Sequence, residues 1–149
     1  MTDADLIEAA RAAALKAYAP YSGYSVGCAI LSSDGTLVTG ANMENACYRL
    51  GICAEQSALT TAQHAFGLQH IARIAVAGGD GSGEALGGDQ SVTPCGGCRQ
   101  ALLEASHLSG RDFEILCASG DGAKVERLAL STLIPYGFGP ASLSDASNG

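Results

Sequence analysis

Thr93-Pro94-Cys95-Gly96-Gly97-Cys98-Arg99-Gln100 is the stretch on which the reading of this chain turns, taken together with Cys53-Ala54-Glu55 upstream. Two cysteines two residues apart can grip one metal ion from the first turn of a helix. A third cysteine, followed two residues later by a glutamate, supplies what a catalytic zinc site would still lack. Such a site takes three protein ligands and leaves a fourth position for water. Cys53, Cys95 and Cys98 make up the ligand set, and Glu55 is the acid/base beside the open position. Both cysteine elements fall where a loop or strand hands over to a helix. The partial positive charge and free N–H groups of a helix N-terminus favour thiolate over thiol there. Pro94 suits the position just before such a helix, where a missing N–H costs nothing.

The pattern outward from this stretch is that of alternating helices and strands. Leu6, Ala10, Ala13 and Ala17 recur at helical spacing, so a helix is predicted over 3–18, capped by Thr2 or Asp3 and stopped by Pro20. Strands are expected over 26–31 and 36–39, joined by a turn at Asp34-Gly35. A helix over 52–66 follows from Ala58, Leu59, Ala62 and Phe66, closed by Gly67. The β-branched run 71–77 reads as a central strand. Segment 78–90 reads as a glycine- and acid-rich loop, solvated or serving as a flap before Thr93. A helix over 95–107, strands over 113–118 and 124–126, and a short helix over 128–133 complete the order. The chain is therefore expected to be one α/β domain over 1–149: a three-layer α-β-α sandwich around a five-stranded mixed sheet. Residues 141–149 are expected to be a frayed tail.

Composition narrows the function. A length of 149 residues, 47% hydrophobic and 15% charged, suits one folded domain rather than a disordered chain. The formal charge of −7 argues against a nucleic-acid polymer and against an anionic membrane as partner. An acidic start, Met1-Thr2-Asp3-Ala4-Asp5, lacks the basic and apolar run of a signal peptide, so a cytoplasmic location is expected. In a reducing compartment the six cysteines read as metal ligands or buried apolar groups rather than as disulfides. Cys28, Cys47 and Cys117 are expected to be small buried hydrophobes, and His64, His70 and His107 solvated residues near helix ends.

Taken singly, these motifs have plainer readings. Cys95-Gly96-Gly97-Cys98 alone could be a redox pair or half of a structural zinc site, and Glu55 alone a helix-start acid. Asn42 and Glu44 could be turn formers, and Tyr24 and Phe138 ordinary core or interface aromatics. Zinc held by three cysteines or by one histidine and two cysteines, a non-ligand Glu and a Pro-Cys-x-x-Cys element together describe base-deaminating enzymes. At this point the resemblance becomes specific: the chain resembles the small, three-cysteine cytidine deaminases. It does so through Ala17-Tyr18-Ala19-Pro20-Tyr21-Ser22, Val26-Gly27, Asn42-x-Glu44-Asn45, Cys53-Ala54-Glu55, Pro94-Cys95-Gly96-x-Cys98-Arg99-Gln100 and Pro135-Tyr136-Gly137-Phe138-Gly139.

That resemblance implies one Zn²⁺ per chain and hydrolytic deamination of cytidine or deoxycytidine, with release of ammonia. The alternative is another aminopyrimidine nucleoside, such as a modified cytidine or a nucleoside antibiotic, or in a different class a non-catalytic zinc or redox module. It implies ribose contacts from Asn42 and Glu44, stacking on the base by Tyr24, and backbone contacts at Ala54 and Thr93. It also implies a homotetramer in which Phe138 enters a neighbour's site. The sequence departs from the family at three of these positions: Tyr24 stands where Phe is usual, Arg49 where Gly is common, and Gln56 where many members carry Arg. Arg49 and Gln56 are candidate tuning residues.

Overall fold

The computed structural model describes residues 1–147, with side chains described through Ser144. Its core is a five-stranded sheet in the order β2-β1-β3-β4-β5: β1 Tyr24–Ser32, β2 Leu37–Ala41, β3 Ile71–Asp80, β4 Glu114–Ser119 and β5 Val125–Ala129. Only β3 and β4 run parallel; the other neighbouring pairs are antiparallel. The helices α1 Asp3–Ala14, α2 Ala54–Ala65, α3 Gly96–Ser109, α4 Leu130–Leu133 and α5 Pro140–Ser147 complete the chain.

Alternation along the strands sorts the side chains into two cores. Ala29, Leu31, Ala75, Ala77, Leu116 and Ala118 meet Leu6, Ile7, Ala10 and Ala14 of α1 on one face. Cys28, Ile30, Ile74, Val76, Ile115 and Cys117 meet Ala58, Ala62, Leu102 and Ala105 of α2 and α3 on the other. This is the expected three-layer arrangement. Small residues let the layers close. A side chain at Gly27 would overlap the Ala10 carbonyl oxygen, and one at Gly40 would overlap the Ala58 amide nitrogen. The second approach seats the first turn of α2 on the sheet edge.

Several boundaries differ from the sequence reading, each for a local reason. Helix α1 is capped by Thr2, with Asp5 completing a capping box, but it ends at Ala14 rather than at residue 18. The following chain is recruited elsewhere: the Tyr18 amide donates to Asn42 O (3.0 Å) and the Glu44 amide to Tyr18 O (2.8 Å). Strand β3 runs on through Gly78 and Gly79 to Asp80, into the segment read as loop. The glycines there admit a return of the chain, since a Cβ at Gly79 or Gly120 would overlap Gly87 O. Leu86 alone is buried, against the α1 side of the sheet; residues 82–85 and 88–90 are exposed, as expected of a solvated loop. Of the tail 141–149, expected to be frayed, residues 141–147 belong to helix α5, and Asn148 and Gly149 lie outside the described residues. Among the described residues no helix is long and apolar enough to cross a membrane.

Candidate active site

Helices α2 and α3 begin with the two cysteine elements. Cys53 is the N-cap residue of α2 and Cys95 that of α3, both with extended backbone. Their sulfurs stand 4.0 Å apart. The Cys98 amide donates to Cys95 Sγ at 3.4 Å, and all three sulfurs lie within 4.8 Å of one another. No other group of three His, Cys, Asp or Glu is placed to hold a metal among the described residues. A soft all-sulfur donor set with this spacing fits one zinc per chain and leaves room for a further, non-protein ligand. The Cys98 amide, first among several donors, holds the Cys95 thiol below its ordinary value. Burial, then the nearby Glu55 charge, pushes Cys98 up, and burial also raises Cys53.

Glu55 is only 4% exposed although it lies in the first turn of α2. That burial raises its carboxyl above the ordinary range, against a smaller opposing pull from its own backbone N–H and the Cys98 thiol. It is a buried acid next to, but outside, the thiol cluster. Gln56, one residue on, points its amide at the metal group: Nε2 donates to Cys98 Sγ at 3.8 Å.

A cleft of about 530 Å³ opens beside Cys53, and Asn42 and Glu44 are in its wall. Asn42 Oδ1 accepts from the Val26 amide (2.8 Å) while Nδ2 donates to Tyr24 O (2.9 Å), which locks the start of β1. The Glu44 carboxylate accepts from the Tyr21 and Ser22 amides and from the Ser22 hydroxyl. These donors, the hydroxyl foremost, hold its carboxyl below the ordinary value.

The remaining sequence candidates are more scattered. Ala54 is buried at the start of α2, and Thr93 is exposed just before Pro94. Tyr24, Arg49 and Phe138 are exposed and are not among the residues lining the cleft of their own chain. Arg49 sits in the single turn Tyr48–Leu50, next to Tyr48, which does line it. Two aromatics are among the lining residues that escaped the sequence reading. Tyr21 and Tyr48 meet edge to face with ring centroids 5.8 Å apart. Their signal was an aromatic in each of two polar loops, with no periodic element to bury either. Cys28 and Cys117 are buried as expected, and burial pushes the Cys117 thiol up to about 12. Cys47 is not: it is exposed, because the residues after it form the surface turn Tyr48–Leu50 rather than a strand. His64, His70 and His107 are exposed.

Three converging thiols and a buried carboxyl on two adjoining helix starts, set on an α-β-α sandwich, make the constellation of a zinc hydrolase. Comparison with known proteins narrows the class. Residues 1–109 match the family model for the cytidine and deoxycytidylate deaminase zinc-binding region. A cytidine deaminase of Halalkalibacterium halodurans is 35% identical over 140 residues, spanning 94% of this chain and 96% of the relative. The crystal structure of cytidine deaminase from Burkholderia pseudomallei aligns with a TM-score of 0.78 at 38% identity, covering 93% of this chain and all of that one. That of the Mycobacterium tuberculosis enzyme aligns at 0.68 and 35% identity, covering 93% and 99%. The chain belongs to the cytidine and deoxycytidylate deaminase family.

Proposed function

We propose that this chain hydrolyses cytidine or deoxycytidine to uridine or deoxyuridine, consuming one water and releasing one ammonia. The observation that carries this reading is the cluster of Cys53, Cys95 and Cys98 with the buried Glu55 beside it, Cys53 lining a cleft that Asn42 and Glu44 also wall. When bound by the three cysteines, zinc supplies Lewis acidity that makes water a competent nucleophile near neutral pH.

The rest of the chemistry falls to side chains of this chain. Glu55 takes one proton from the attacking water and delivers it to ring nitrogen N3, where it stays, and then takes the proton of the new C4 hydroxyl and gives it to the departing amine. Burial favours its protonated form, which suits a group that has to deliver a proton as well as accept one. Asn42 and Glu44 hold the ribose hydroxyls; their bonds to the 21–26 segment fix them in place before substrate arrives. Tyr24 stacks on the base, and the backbone at Ala54 and Thr93 reads its edge.

Phe138, exposed on its own chain, fits a residue lent to a neighbouring copy in a homotetramer. A role in pyrimidine salvage and a cytoplasmic location accompany this reading. The test is the fall in ultraviolet absorbance of cytidine, with ammonia measured in parallel. A zinc-loaded protein that leaves cytidine and deoxycytidine unchanged would end this reading.

A further inference from the structure

Directly after Cys98, helix α3 carries two side chains whose hydrogen bonds leave the helix. Arg99 Nε donates to Pro94 O at 2.8 Å, and its Nη1 donates to Leu133 O at 2.9 Å. Gln100 Nε2 donates to Phe138 O at 2.7 Å. The segment that follows α4 is thus tied at both ends to the turn of α3 that carries the metal-binding cysteine.

Leu133 and Ile134 pack against the core, but residues 135–138 beyond them are exposed and have little of their own to hold them. Helix α4 is a single turn. Tyr136 sits at φ 56°, in the left-handed region that a bulky side chain avoids. Its ring is fully exposed and that of Phe138 is 59% exposed, so neither anchors the loop by burial within the chain. Glycines bring the backbone down onto α3 instead. A Cβ at Gly137 would overlap the Leu103 side chain, and one at Gly139 the His107 ring. The loop lies backbone-down on the helix with its aromatic rings turned outward.

We infer that Arg99 and Gln100 are positioning residues that index the 133–138 loop, and with it Phe138, to the metal-binding turn of α3. One guanidinium spans two carbonyls from separate segments, and one amide takes a third. Together they add to the packing of Leu133 and Ile134 and replace the burial that residues 135–138 lack. The consequence for catalysis rests on the role proposed above for Phe138; the clamp itself does not.

The chain contains no tryptophan, so Phe138→Trp creates a protein whose emission reports on this loop alone. Gln100→Met keeps the length and helix preference of the side chain but removes its N–H donor. In the Phe138→Trp background it is expected to shift the emission maximum and raise acrylamide quenching about twofold, as loss of one such bond implies. Zinc content and far-ultraviolet circular dichroism should stay unchanged. Arg99→Lys should do the same, because an ammonium cannot reproduce the two-carbonyl fork. Unmoved emission and quenching in both variants overturn the inference.

With Phe138 intact, Gln100→Met is expected to raise KM for cytidine roughly three- to tenfold and leave kcat within about twofold. General destabilisation does not produce that split. A shifted reporter with an unmoved KM upholds the clamp and removes Phe138 from the substrate site, which is a failure of the proposed function rather than of this inference.

Discussion

The amide nitrogen of Gln56 stands 3.8 Å from the sulfur of Cys98, so an uncharged donor faces a ligand of the metal cluster. Three thiolates around Zn²⁺ carry a net negative charge, and hydrogen bonds to the sulfurs offset part of it. Gln56→Ala removes the donor and Gln56→Arg adds charge to it. Zinc is expected to leave the Ala variant roughly tenfold more readily and to be held more tightly by the Arg variant. Timed zinc release to a chromogenic chelator checks this. Equal release from all three proteins would show that Gln56 has no part in holding the metal.

Glu55→Gln separates chemistry from architecture. The amide fills the same buried space and cannot carry the proton. The variant is expected to fold and retain zinc while kcat falls by roughly a hundred- to ten-thousand-fold. Steady-state kinetics alongside metal analysis reads both, and near-normal turnover would leave the proposed mechanism without its proton carrier.

Two glycines test whether the helices are seated as described. Gly40→Ala drives a methyl into the backbone of α2 at Ala58, and Gly27→Ala drives one into α1 at Ala10. Each is expected to cost about 1–3 kcal/mol in urea unfolding, as overpacking does. Only the Gly40 variant should also weaken zinc retention, since α2 carries Cys53 and α1 carries no ligand. Equal zinc retention by the two variants would argue against that coupling.

Asp3 supplies the pH dependence. It forms an ion pair with Arg73 and another with Arg127, the latter at 2.5 Å. The hydrogen bond from Arg127, with the charges of both arginines, holds its carboxyl below the ordinary range. A lowered folded value means that the stabilisation is present above the unfolded value of about 3.9 and is lost as acid protonates the folded form. Asp3→Asn should therefore be less stable than the native chain at neutral pH, and the gap should close in acid below that value. Urea midpoints measured across that range decide the matter; a gap that widens in acid contradicts the assignment.

The sequence carried the fold's periodic parts and the metal cluster because both are local signals. Leu6 and Ala10, or Ala58 and Ala62, announce a helix face by spacing alone, and Cys95 with Cys98 announces a ligand pair. What it did not carry depended on distant partners. Helix α1 stops early because Tyr18 bonds to Asn42, and 78–80 joins the sheet because it pairs with Tyr24–Val26 of β1. Cys47 looked like any buried cysteine until the turn Tyr48–Leu50 put it on the surface. The contact of Tyr21 with Tyr48 in the lining of the cleft could not be read from either loop by itself.

The central place of β3 has a kinetic consequence. Cys53 precedes this strand in the chain, while Cys95 and Cys98 follow it, before the parallel partner β4. The β1–β2 and β4–β5 hairpins can form from neighbouring segments, but the three sulfurs gather only after β3 has entered between β1 and β4. Contacts made after the folding barrier govern how fast a protein comes apart rather than how fast it forms. Bound zinc should therefore lengthen the lifetime of the folded chain and leave the refolding rate nearly untouched. Stopped-flow unfolding and refolding, with and without a chelator, would register that asymmetry; refolding that quickens with added zinc would place the metal at the beginning of assembly instead.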